Sequence, residues 1–204
     1  MIKTLLLVVV HGAIRVAFGL YRTPKLSTPC IVVSNHNSVL DAYVLSLLFP
    51  VRALSRVRAA AAADTFGGGV RGWIARVTLN PILVERRARG HDPLTEVRAA
   101  LGRGDSLIIF PEGTRGEPGV IQPFKPGIGE LARSFPRVRI YPCFIAGIER
   151  VLPRHEWLPL PFNVEVLVGE PHLGNPQEHR RHFARQMEED VKALASRYEQ
   201  ARQL

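Results

Sequence analysis

Cysteine is scarce in this chain: Cys30 and Cys143 are the only two. Both lie inside apolar runs, which marks them as buried free thiols and argues against a disulfide framework or a metal site. Such usage suits a reducing cytoplasm. Acidic residues are also few. Eighteen Asp and Glu stand against 27 Lys and Arg, a net charge of +9, so an anionic partner is expected. No nucleic-acid-binding module and no basic run interleaved with aromatics accompanies that charge. An anionic membrane surface accounts for it equally well, as does a basic face meeting only solvent. Phe66-Gly67-Gly68-Gly69-Val70 lacks the Lys-Ser/Thr ending of a phosphate loop. There is no internal repeat, no low-complexity segment and no sign of a second domain. At 204 residues and 46% hydrophobic content, one well-filled domain is expected.

Nor is any apolar run long enough to cross a bilayer comfortably. Thr4 to Leu20 would rise roughly 25 Å as a helix, against a hydrocarbon core of about 30 Å. His11 and Arg15 interrupt it at i, i+4, with Lys3 near the same stripe. The pattern predicts a helix lying in the membrane interface, or a tilted, marginal insertion. A signal peptide would want a small-x-small cleavage site after the block, and there is no clean one. An ordinary buried helix is the plain alternative. Residues 1–22 are therefore read as a membrane-associated helix and 23–204 as the main domain.

What is present is an alternation of strand and helix patterns. Cys30 to Val33 reads as a buried strand and Asp41 to Phe49 as a helix stopped by Pro50. Arg52, Arg56 and Arg58, with alanines to Ala63, are basic and helix-compatible: a solvated face, or one turned to anionic lipid. Trp73, Ile74 and Val77 have helical spacing. Asn80 to Arg87 reads as a short strand ending in positive charge. Asp92 to Gly104 is an amphipathic helix with Asp92 as cap and Pro93 first inside. Ser106 to Phe110 is a strand and Gly127 to Phe135 a helix. Val138 to Ile145 is a strand containing Pro142, tolerable only at an edge or bulge. Leu152 to Phe162 is a proline-rich loop that would face membrane. Asn163 to Val168 is a strand, and Gln177 to Leu204 a helix with Phe183, Met187, Val191, Leu194 and Tyr198 on one side. This alternation predicts one α/β domain, a mixed sheet flanked by helices.

The chemistry gathers at two strand ends. Ser34-Asn35-His36-Asn37-Ser38-Val39-Leu40-Asp41 follows the first strand. A histidine with a carboxylate in reach serves as a general base at neutral pH. In one continuous helix His36 and Asp41 would point about 140° apart. To meet, His36 must lie in the turn before the helix and Asp41 in its first turn. The competing reading is a capped turn with no chemistry, since Asn35, Asn37 and Ser38 are good N-caps. The second stretch is Phe110-Pro111-Glu112-Gly113-Thr114-Arg115.

Together these resemble the glycerolipid acyltransferase family that includes the 1-acylglycerol-3-phosphate acyltransferases. Its first motif is His, four residues, Asp, with Asn before the His, as in Asn35, His36 and Asp41. Its third reads Phe-Pro-Glu-Gly-Thr-Arg, matched throughout by Phe110 to Arg115. Phe124-Lys125-Pro126-Gly127 and the apolar strand around Pro142 fit as well, and the likeness runs from about Cys30 to Pro171. The second motif, Gly-x-x-Phe-x-x-Arg, is met only by Arg86. Asn80 stands for the Gly and Leu83 for the Phe, with Arg87 as an alternative ligand.

The resemblance implies fatty acyl transfer from a thioester, acyl-CoA or acyl-carrier protein, to the free hydroxyl of a lysophospholipid. The acceptor implied first is 1-acylglycerol-3-phosphate, giving phosphatidic acid in phospholipid biosynthesis. It assigns His36 as base, with Asp41 fixing its tautomer. It assigns Arg86, Glu112, Gly113, Thr114 and Arg115 to the acceptor, with Gly113 permitting close backbone approach. Glu112 would orient an arginine or bind a substrate hydroxyl. Asn35 would cap the helix or stabilise an oxyanion, the cap being preferred. No cofactor, metal or nucleic acid is called for. The expected partners are an anionic membrane surface, the two substrates and acyl carrier protein, at the cytoplasmic face of the membrane. Another lysolipid acceptor, such as a lyso-ornithine lipid, stays open, as does a non-catalytic basic membrane-binding protein.

Overall fold

The computed structural model describes residues 2–20, 23–38, 40–62, 78–84, 92–117, 119–148 and 164–203. The Phe66–Val70 glycines, the Trp73–Val77 stripe, Arg86 with Arg87, and the Leu152–Phe162 loop lie outside them.

Six strands form one sheet: β1 (Cys30–Ser34), β2 (Val57–Ala62), β3 (Ile82–Val84), β4 (Ser106–Ile109), β5 (Arg139–Ala146) and β6 (Glu165–Val168). Their spatial order is β3-β2-β4-β1-β5-β6. All pairings are parallel except that of β5 with β6, so the sheet is mixed, as expected. The helices are α1 (Ile2–Ala17), α2 (Asp41–Ser46), α3 (Thr95–Gly102), α4 (Gly127–Ser134) and α5 (Arg180–Arg202), with a 3-10 turn at Val51–Arg56.

Strand β1 is buried along its whole length, and its alternation divides the core. Cys30 and Val32 join a cluster with Ile14 of α1, Phe18 just after it, and Val44 and Leu45 of α2. Ile31 and Val33 face the other way, into a cluster with Val97, Ile128, Phe183 and Met187 from α3, α4 and α5. A parallel strand covered on both faces must be apolar on both, which explains the unbroken Cys30–Val33 run.

Three elements depart from expectation. The alanines after Arg58 form β2, a strand rather than a helix. It hydrogen-bonds to β3 on one side and β4 on the other, and two neighbours outweigh alanine's helical preference. The basic residues beside it are tied down. Arg56 Nε lies 3.3 Å from Asp105 Oδ1 and Arg58 Nε 2.7 Å from Asp105 Oδ2. α2 ends at Ser46, short of Phe49.

α1 forms where expected but faces the other way. Its polar residues point inward: His11 Nε2 lies 2.8 Å from Ser46 Oγ, and Arg15 reaches Thr23 and the Leu47 carbonyl. Ile14, Phe18 and Leu20 are buried beside them, while Val8, Val9 and Val16 are exposed. The N-terminal segment therefore contributes to the core.

Pro142 lies in β5, which has neighbours on both sides. Cys143 pairs with Val168 and Ile140 with His172. Tyr141 and Pro142 thus oppose the three residues Gly169 to Pro171, a bulge of one residue. Proline's missing N–H falls in that interruption.

Candidate active site

β1 and β4 are adjacent and parallel, with Val33 opposite Ile109. Their C-terminal ends therefore release the His36 and Glu112 stretches side by side. That edge is where ligands bind in open α/β sheets.

His36 lies in the turn before α2 and Asp41 opens the helix, the one arrangement that lets them meet. His36 Nδ1 is 2.8 Å from Asp41 Oδ2. The same oxygen accepts the Asn37 and Ser38 amides at 2.7 and 2.8 Å. Asp41 thus reaches back over the helix start as in a capping box, while Ser38 Oγ accepts the Leu40 amide at 3.2 Å. All three bonds fall on one oxygen of a fully buried side chain, whose other oxygen, Oδ1, has no partner among the described residues. With Nδ1–H donating to that oxygen, Nε2 is left as the basic nitrogen. The imidazole stacks on Phe110, centroids 4.1 Å apart and planes 14° from parallel. The carboxyl group that engages the imidazole thus also holds the turn, while the N-cap position falls to Leu40, with no side-chain capping bond.

The Phe110–Arg115 stretch grips His36 from the other side. Glu112 Oε1 accepts the His36 amide at 2.9 Å, and Oε2 accepts the Gln122 amide at 3.1 Å. The Gly116 amide donates to the His36 carbonyl at 2.9 Å. Glu112 is buried, and burial pushes its carboxyl up from the ordinary value, against the two amide bonds. Each of its oxygens accepts a backbone amide, so the geometry gives it a positioning job. Gly113 has φ +81°, a left-handed turn that glycine adopts without strain. Thr114 and Arg115 are exposed. Arg86 lies outside the described residues.

Asn35 does not cap the helix; its side chain is turned to β5. Its side chain accepts the Ile145 amide at 2.9 Å and donates to the Ile145 carbonyl at 3.1 Å. It stitches the end of β1 to β5 and fixes where the His36 turn begins.

The acyltransferase family model matches residues 10–146, a span holding both motifs. The chain belongs to the acyltransferase family. A chloroplastic 1-acyl-sn-glycerol-3-phosphate acyltransferase of Brassica napus is 30% identical over 160 residues, 77% of this chain and 44% of that protein. The chain thus spans under half the length of that plant relative. A lyso-ornithine lipid O-acyltransferase of Brucella abortus is 28% identical over 81% of this chain and 71% of its own length. The fold is that of the Thermotoga maritima 1-acyl-sn-glycerophosphate acyltransferase crystal structure. Its TM-score is 0.67 at 23% identity, covering 93% of this chain and 79% of that one.

Within this acyltransferase, sequence reasoning missed what lies beyond Arg115. The segment from Gln122 to Lys125 folds back over the turn, its amides bonded to Glu112, Glu188 and the Pro111 carbonyl. The Phe-Lys-x-Gly spacing marked the segment, but nothing in one dimension places Lys125 against Gly113.

Proposed function

We propose that this acyltransferase moves a fatty acyl group from an acyl thioester to the free hydroxyl of a lysophospholipid, 1-acylglycerol-3-phosphate first among acceptors. The observation that carries the reading is the His36–Asp41 pair, with Nδ1 engaged and Nε2 left basic. As the acceptor oxygen attacks the thioester carbonyl, Nε2 takes its proton and Asp41 stabilises the imidazolium. The carbon–sulfur bond then breaks and the imidazolium returns the proton to the leaving thiolate. No serine need carry the acyl group. Ser34 and Ser38 are both buried, and Ser38 Oγ is occupied by the Leu40 amide. The donor, acyl-CoA or acyl-carrier protein, is thus a co-substrate, and no cofactor or metal enters the scheme.

Arg115 and Arg86 are our candidate ligands for the acceptor's anionic group, because a guanidinium grips phosphate oxygens in pairs. The likeness to the Brucella lyso-ornithine lipid enzyme and the altered second motif favour lyso-ornithine lipid as the second acceptor to test. No helix among the described residues is long and apolar enough to cross a membrane. The net charge of +9 suits an anionic surface, and we place the enzyme on the cytoplasmic face of such a membrane, docked through the exposed valines of α1. The deciding experiment is mass spectrometry of products from a panel of lysolipids with both donor types, wild type beside His36→Ala. Acylation of none of them by a folded wild type would overturn the reading.

A further inference from the structure

We propose that the Lys125 ammonium receives the phosphate of the acceptor, above the Gly113 turn and beside Arg115; the proposal rests on the lysolipid reading just given. Lys125 does not reach the turn by chance of a surface rotamer alone, because its backbone is fastened. Its amide donates to the Pro111 carbonyl at 3.0 Å. One residue back, the Phe124 amide donates to Glu188 Oε2 on α5 at 2.9 Å. Two residues before that, the Gln122 amide donates to Glu112 Oε2 at 3.1 Å. The side chain then crosses Gly113 so closely that a Cβ there would fall 2.3 Å from Nζ. Gly113 thus serves twice, for its positive φ and for the room it leaves the ammonium.

Among the described residues the charge of Lys125 is not neutralised. It makes no ion pair among the described residues, whereas Lys192 pairs with Glu188, Arg98 with Asp92, and Arg56 and Arg58 with Asp105. Glu112, the acid of this turn, has both oxygens on backbone amides. One of those amides is that of His36, so cation, turn and base belong to one hydrogen-bonded assembly. In a 1-acylglycerol 3-phosphate the reacting hydroxyl and the phosphoester oxygen sit on adjacent carbons. A hydroxyl delivered to His36 therefore brings its phosphate within a few bonds' reach of the base, where this turn lies. A compact, flexible ammonium suits a group that must follow the acceptor into place.

The test compares Lys125→Gln and Lys125→Arg with wild type on lysophosphatidic acid and on a monoacylglycerol, which lacks the phosphate. With lysophosphatidic acid, Lys125→Gln should raise the acceptor KM about ten- to a hundredfold while kcat and the thioester KM change by less than about threefold. Lys125→Arg should recover most of the loss, and the monoacylglycerol should show no difference. Calorimetric binding of a short-chain lysophosphatidic acid should weaken by the same factor in Lys125→Gln, read without turnover. Unchanged binding by folded Lys125→Gln, or an equal loss on the monoacylglycerol, would overturn the proposal. A wild type that binds lysophosphatidic acid yet acylates no lysolipid would overturn the acyl-transfer reading, and binding by Lys125→Gln would still decide the role of Lys125.

Discussion

Asp41 Oδ2 holds three donors, one from the imidazole and two from the backbone of the turn that carries it. The residue that orients the base therefore also builds the loop beneath it. His36→Ala should lower kcat by about 10²–10⁴-fold while circular dichroism stays native, since the lost group acts on a proton in flight. Asp41→Asn should be as severe and should also cost stability, because the amide NH2 must either face the three donors or be buried where Oδ1 has no partner among the described residues. Ser38→Ala should leave turnover near normal, and a trapped acyl adduct on Ser38 would replace the general-base scheme. Glu112→Gln separates positioning from binding. It keeps the shape but leaves one backbone amide facing an N–H. Steady-state kinetics should show a fall in kcat of about tenfold or more, from the loss of one charge-assisted bond, with the acceptor KM little changed. A rise in acceptor KM alone would return Glu112 to the substrate.

α1 shows how burial reverses the meaning of a pattern. The Ser46 hydroxyl donates to the Tyr43 carbonyl at 2.6 Å, so it receives the His11 Nε2–H. Burial, then the Arg15 and Lys25 charges, lower the His11 pKa from 6.5 to about 4. The folded chain thus prefers neutral His11. Its contribution is complete above about pH 6.5 and is lost as pH falls toward 4, where the unfolded chain binds the proton more readily. The loss is on the order of 3 kcal/mol. A pH series of melting midpoints should fall across that window, and His11→Gln should flatten the fall. On the outer face, Val9→Glu and Val16→Glu should weaken vesicle flotation about tenfold each without altering melting, since we propose those valines as the lipid contact. Unchanged flotation would move the membrane contact to the Leu152–Phe162 loop. The Arg52–Arg58 stretch is a poorer candidate: Arg56 and Arg58 sit on Asp105, at the sheet edge opposite His36.

At the scale of the molecule, the sheet has a core on each face, and α1 belongs to one of them. Removing residues 1–20 takes away buried Ile14, Phe18 and Leu20, each worth about 1.5–3 kcal/mol. That total approaches the 5–15 kcal/mol by which domains of about this size are stable. The truncated chain should therefore lose its cooperative melting transition as well as its membrane association. Retention of a sharp transition would make α1 a detachable anchor after all.

The sequence by itself determined the alternation of elements, the apolar run of the central strand and the two motifs with their His–Asp pair. Each is written in neighbouring residues: a period of two or 3.6, a proline, or a His and Asp spaced so that only a turn followed by a helix lets them meet. Tertiary structure decided the rest. Alanines 59–62 became a strand because β3 and β4 flank them. Asn35 became a stitch because β5 lies alongside, and His11 turned inward because Ser46 was there to receive it. Glu112 became a strut, and Lys125 came to lie over Gly113, because β1 and β4 end at the same edge. Those partners stand between 35 and 110 residues away for Asn35, His11 and Glu112. A local pattern carries no record of such distances; they arise only when the strands take their places in the sheet.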